Sequence, residues 1–303
     1  MRVFFIRVTL VLALSFSLQA GEAVSPVAKT KWERDFLLAN LEFTLLHEFG
    51  HLLIEELKLP VLGMEEDAAD RLAMIVMMTE HEKKSSADFI PWLLSVAGRW
   101  YIAWELKDSP EEKVVYWDNH NLEIQRFHNI VCLVFGGNAD LLEEMSDTEF
   151  LPFERSVNCD YEYKQALHAM AWLQSNYGQQ PTAGLRANAV KVIYKNPREG
   201  ENRAIYELLQ SSPMVGKWAQ RLSDSFKFPR TIRIEFDNCY AQPNAFWHAP
   251  TASITICYEI LGHFMTMLEY RRQHSTRACS IPILRKYMGE VMNCSQTAGR
   301  AGP

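Results

Sequence analysis

Residues 43–54 read Phe43-Thr44-Leu45-Leu46-His47-Glu48-Phe49-Gly50-His51-Leu52-Leu53-Ile54, and the rest of the chain is best understood outward from them. Apolar residues recur at Leu38, Leu41, Leu45, Phe49, Leu52 and Leu53. That three-to-four spacing makes one buried stripe and predicts a helix over residues 35–57. Lys58-Leu59-Pro60 ends it, because proline lacks a donor and clashes with the preceding turn. Two histidines and a glutamate interrupt this apolar helix, and burying them is costly unless something satisfies them. A solvated helix face carrying the same residues by chance is the plainer alternative, and the apolar flanks weigh against it.

Histidines four residues apart lie about 40° from each other around a helix, one turn apart. His47 and His51 can therefore both reach one ion at the roughly 2.0–2.1 Å of a zinc–nitrogen bond. Glu48 lies about 100° from His47, beside the ion and not toward it, which is where a general base stands. Gly50 clears a side chain from the same surface, so that a backbone or a substrate can come close. Zn2+ is the cofactor this pattern predicts.

Catalytic zinc sites take three protein ligands and leave one position open. The third is sought in Glu65-Glu66-Asp67-Ala68-Ala69-Asp70, which opens a helix predicted over residues 65–78, after a turn at Pro60 and Gly63. The two helices can then run antiparallel. Acids at a helix start complement its dipole, which accounts for Glu65 and Asp67. Glu66 and Asp70 share a face and suit a ligand with a carboxylate that orients a ligating histidine. The predicted metal set is His47, His51 and Glu66, with Asp70 the competitor for third place and Glu48 the catalytic base.

His47-Glu48-Phe49-Gly50-His51 followed by Glu65-Glu66-Asp67-Ala68-Ala69-Asp70 resembles the DUF4344 family of bacterial metallopeptidases. The resemblance continues through Asp35-Phe36, Asn40, Gln125-Arg126-Phe127, Cys132, Gly136, Cys239 and Asn244-Ala245, ending at residues 254–259. Glu66-x-x-Ala69-Asp70 is also similar to the element that supplies the glutamate ligand in gluzincin peptidases, although many of those have a longer gap after the second histidine. The resemblance implies peptidase-like chemistry on a zincin-like domain; it names no substrate.

Further helices are predicted over residues 87–105, 122–135, 161–177 and 259–272. Residues 231–236 and 253–258 alternate polar and apolar and predict a β-hairpin or ribbon with a long loop between its arms. The expected fold class is α+β, mostly helical, with a small β-ribbon. Asn244-Ala245-Phe246-Trp247 precedes a strand and could line a substrate edge.

Six cysteines, none in a C-x-x-C pair, predict disulfides. Sequence order suggests 132–159, 239–257 and 279–294 among about 15 ways to pair six cysteines. Arg2 and Arg7 precede an apolar run over residues 8–18, too short to span a bilayer, with a small-residue cleavage position at Ala20. Residues 1–20 thus read as a signal peptide and 21–303 as one domain, exported to the periplasm or secreted, with no stable membrane insertion after cleavage. A net charge of −6 with scattered lysines and arginines excludes the basic stripe of a nucleic-acid binder. His120, His128, His248, His263, Tyr101, Tyr240 and Tyr258 are candidates for stabilising a transition state, a packed or surface role being the more frequent one for each. Arg126 reads as a buried ion-pair partner, and residues 74–78 as core.

The predicted function is zinc-dependent hydrolysis of peptide bonds, acting on a peptide or protein substrate. The alternatives are a zinc-binding protein without turnover and a zinc-dependent hydrolase of non-peptide amides.

Overall fold

A computed structural model describes residues 28, 30–82, 86–107, 114–178, 189–197, 200–240, 242–274 and 276–294. The signal-peptide reading of residues 1–20, and the tail after residue 294, lie outside them.

The order of elements is α1 (Lys31–Glu56), α2 (Glu65–His81), α3 (Ser86–Lys107), α4 (Glu123–Gly136), α5 (Ala139–Met145), α6 (Phe153–Ser156) and α7 (Cys159–Tyr177). There follow β1 (Val190–Tyr194), α8 (Gly200–Ser211), α9 (Met214–Ser225), β2 (Ile232–Asp237), β3 (Ala245–His248), β4 (Ser253–Cys257), α10 (Tyr258–Gln273) and α11 (Pro282–Met288). The fold is α+β and mostly helical, with one small sheet.

α1 is the axis of the molecule. Thr30 caps it, accepting from the Glu33 N–H, while the Glu33 carboxylate accepts from the Thr30 N–H at 2.9 Å. This reciprocal cap satisfies two donors that a helix start leaves bare, and it begins the helix at Lys31, before the predicted start at residue 35. α1 packs against α2, α3, α10 and the β3–β4 pair. It is buried on nearly every side from Phe36 to Leu53, so its polar residues must find partners inside the protein. One of them, Glu42, is fully enclosed and accepts from Trp92 Nε1 at 2.6 Å, Trp218 Nε1 at 2.7 Å and His81 Nε2 at 2.9 Å. That carboxylate ties α1 to α2, α3 and α9.

The predicted ribbon needs correction. The two alternating runs are neighbouring strands, β2 and β4, but they pair in parallel, Ile234 opposite Ile254. The segment read as a loop contains β3, which pairs antiparallel with β4, Trp247 opposite Ile254. β1, which the sequence reading did not include, pairs parallel with β2 across a connection that carries α8 and α9. The strand order is β1-β2-β4-β3, leaving β3 as an edge beside α1. Alternation reports which face of a strand is buried and says nothing about the direction of its neighbour.

Disulfides join Cys132 to Cys159, Cys239 to Cys257 and Cys279 to Cys294, the pairing that sequence order suggests. The second staples the end of β4 to the segment that leaves β2. Among the described residues, no helix is long and apolar enough to cross a membrane.

Candidate metal centre

α1 and α2 run side by side, joined by the turn through Pro60 and Gly63, and they touch where Gly50 meets Ala69. A Cβ on Gly50 would lie 2.9 Å from the Ala69 Cα, closer than any side chain tolerates. The missing side chain is what lets α2 bring its carboxylates level with the imidazoles of α1.

His47 Nε2 and His51 Nε2 stand 3.2 Å apart. Glu66 Oε2 lies 3.2 Å from the first and 3.4 Å from the second. Donors arranged tetrahedrally around an ion at roughly 2.0–2.1 Å are about 3.3–3.4 Å from each other, so the triangle has the edge lengths that a zinc ion demands. Glu66 Oε2 is itself buried, and no N–H is aligned to bond it, although three imidazole nitrogens surround it. A buried anionic oxygen left in that condition is costly. A cation between it and the two histidines removes the cost, and the residues fit a metal.

The remaining ring nitrogens are held by carboxylates. His47 Nδ1 lies 2.8 Å from Asp70 Oδ1, and His51 Nδ1 lies 2.7 Å from Glu65 Oε1. Each carboxylate accepts the Nδ1–H and so leaves Nε2 as the lone-pair nitrogen facing the centre. Asp70 is anchored in turn by Arg126, Nε to Oδ2 at 2.7 Å and Nη2 to Oδ1 at 2.5 Å. The Arg126 guanidinium lies 3.5 Å from the centre of the Trp100 ring. Arg126 is thus the buried ion-pair partner that its apolar neighbours predict.

Glu48 is not part of the triangle. Its Oε2 accepts the backbone N–H of Trp247 on β3 at 2.8 Å, and only 7% of the residue is exposed. Burial pushes its carboxyl above the ordinary range, against the opposing pull of His47 and His51.

Within this constellation four carboxylates, Glu48, Glu65, Glu66 and Asp70, stand against two guanidinium groups, Arg126 and Arg99, both of which act on Asp70, so the local potential favours a cation. Burial alone would lower both histidines. The carboxylates outweigh it, raising His47 through Asp70 and Glu66, and His51 to about 9 through Glu66 and Glu65. Burial likewise works to raise Glu66, yet His120, His47 and His51 hold its carboxyl far below the usual range. The second cluster of possible ligands among the described residues, Cys239, Cys257 and Glu259, is closed by the disulfide between its cysteines.

Two residues at the centre carried a plainer reading in the sequence. Glu65, assigned to the helix dipole, is the partner of His51. His120, weighed as packed or surface, brings Nε2 to 3.0 Å from Glu66 Oε2, and its Nδ1 lies 3.0 Å from Asp118 Oδ1. The spacing Asp118-x-His120 was the available signal. The Trp247 N–H had none, since a backbone donor leaves no mark in side-chain chemistry. The other candidates stand elsewhere. His128 donates to the Phe150 carbonyl at 3.0 Å, Tyr258 donates to the Lys195 carbonyl at 2.7 Å, and His248 pairs with Thr251 at 2.8 Å. Tyr101 packs against Phe127 and Phe150, while Tyr240 and His263 are exposed.

A helix bearing two histidines and a glutamate, completed by a carboxylate from the next helix, is the arrangement of a metal-dependent hydrolase. Residues 11–174 and 194–293 match the family DUF4344, whose description reads "Putative metallopeptidase", and the chain belongs to that family. No curated protein and no solved structure matches the chain.

Proposed function

We propose that this chain is an exported zinc metallopeptidase in which His47, His51 and Glu66 hold the metal and Glu48 is the general base. The observation that carries the reading is the buried, unbonded Glu66 Oε2 within 3.4 Å of two imidazole nitrogens whose opposite ring atoms are fixed by Asp70 and Glu65. When bound, zinc supplies Lewis acidity, bringing the ionisation of water near neutral pH and polarising a carbonyl oxygen.

This chain's own residues do the rest. Glu48, steadied by the Trp247 N–H, takes a proton from the attacking water and delivers it to the leaving amine. Burial favours its protonated form, which helps it give the proton back. His120, whose pKa the Glu66 and Asp118 carboxylates raise, offers Nε2–H in its protonated form to the oxygen that gains charge. The edge strand β3 beside Glu48 suits an extended peptide. Such a substrate is also the reason for preferring this reading to a zinc protein without turnover, for which an anchored base beside the ligands has no use. Removal of residues 1–20 by a signal peptidase leaves residues 21–303 as the working domain. Its three disulfides suit an oxidising compartment.

The test is to screen the purified mature protein, with about one zinc per chain, against a diverse peptide library and simple amides. Peptide cleavage is expected, abolished by chelation and restored by zinc. Glu48→Gln should keep the fold and the zinc while lowering turnover by about 10²–10⁴-fold. Loss of zinc along with activity in that variant makes Glu48 a ligand and the assigned role wrong. Cleavage of simple amides alone transfers the protein to the non-peptide class.

A further inference from the structure

Beside His120 the protein surface opens into a cleft of about 370 Å³ between the end of α3 and the segment leading into α4. Trp100 and Trp104, one turn apart on α3, form one wall, and Val114, Val115 and Ile124 supply apolar surface opposite. His120 lines the cleft and is also the residue that reaches Glu66 Oε2. The cleft thus adjoins the candidate metal centre through His120, which touches Glu66, and Arg126, which holds Asp70.

Its charges are all matched within the protein. Lys107 pairs with Glu123 at 2.5 Å, Asp118 with His120 at 3.0 Å, and Arg126 with Asp70 at 2.7 Å. Asn121 donates to Asp67, and the larger part of the surface left to meet a ligand is aromatic and aliphatic. A charged side chain entering there would be desolvated without a partner, whereas an apolar one gains in proportion to the area it buries. The wall continues outward as Val114-Val115-Tyr116-Trp117, four consecutive apolar residues that are all exposed. An exposed apolar run of that length is a liability unless it contacts something.

We infer that this cleft is the specificity pocket of the peptidase and takes a bulky apolar or aromatic side chain adjacent to the scissile bond. The inference rests on the peptidase reading above and adds the substrate class to it.

The experiment starts from the zinc-loaded mature protein and a mixed library of short peptides, with the cleavage positions read by mass spectrometry. Matched peptides carrying Phe, Ala, Asp or Lys at the selected position are then compared. The Phe peptide should exceed the Ala peptide at least about tenfold in kcat/KM, with Asp and Lys lowest, as pocket discrimination of this kind allows. Val115→Asp alters an exposed side chain and so spares the fold while adding an unmatched charge to the wall. It should reduce the Phe-to-Lys ratio at least about tenfold. A flat profile, a preference for a charged residue, or an unchanged ratio in Val115→Asp overturns the proposal.

A second arm measures binding of the same peptides, labelled for fluorescence anisotropy, to zinc-loaded Glu48→Gln protein. If no peptide is cleaved, the peptidase reading fails, and the cleft is judged by this arm alone. Tighter binding of Phe than of Lys supports the pocket, and equal binding overturns it.

Discussion

The Glu48 carboxylate accepts the backbone N–H of Trp247 at 2.8 Å, joining two residues that stand 199 apart in the sequence. The bond fixes Glu48, the proposed general base, relative to the edge of the sheet. Trp247→Pro removes that N–H where proline is tolerated, on an edge strand with the donor facing away from the ladder. Turnover should fall by roughly 10–100-fold with zinc retained, as misplacing a catalytic group does. Trp247→Ala keeps the N–H and loses only the ring, so its defect should be smaller. Equal defects in the two variants would place the effect in the indole and not in the hydrogen bond.

If the proposed ligand set is right, Glu66→Ala should cause the largest loss of zinc affinity, because it deletes one of the three donors. Asp70→Asn and Glu65→Ala each release one imidazole from its partner and should weaken zinc by about 10–100-fold. Competition with a chelator of known affinity ranks the three. If Asp70→Asn strips the metal and Glu66→Ala leaves it bound, their roles are exchanged.

Gly50→Ala would gain about 1 kcal/mol in helix propensity. The new Cβ, however, meets the Ala69 Cα at 2.9 Å and its Cβ at 3.1 Å. Pushing α2 away should cost about 1–3 kcal/mol of stability, as overpacking does. Zinc should be held more weakly too, since α2 carries Glu66 and Asp70. Urea unfolding of the metal-free protein and a zinc titration separate the two effects, and a variant as stable as the parent refutes the close contact.

His128 gives the protein a predictable response to acid. Burial lowers its pKa, its contact with the Phe150 carbonyl opposes this, and nearby Arg155 adds to the lowering. The folded chain thus takes up this proton less readily than the unfolded chain, whose histidine titrates near 6.5. The resulting stability is fully present above that value and is lost as pH falls through the depressed folded pKa. His128→Gln should therefore flatten the decline in unfolding free energy as pH falls below about 6.5, by at most about 1.4 kcal/mol per pH unit. Parallel stability curves for the two proteins would show that His128 contributes nothing to the acid response.

Features that depend on local spacing are legible along the chain. The apolar stripe and its terminator at Pro60 delimit α1 within a few residues. The four-residue interval of His47 and His51 aims two imidazoles at one point, because the α-helix has a fixed pitch. The glycine at position 50 announces a close approach by something. The tertiary structure decided every relationship that crosses elements. Which carboxylate meets which ring nitrogen depends on how α2 is rotated against α1, so Glu65 could pass for a dipole partner until it was seen on His51. His120 and Trp247 come to the centre from α4's leading segment and from an edge strand, at separations where no periodicity operates. The direction of β4 beside β2, and the insertion of β3 as an edge, are relationships of the assembled sheet. Alternation cannot encode that, since a pleated strand buries the same residues whichever way its neighbour runs.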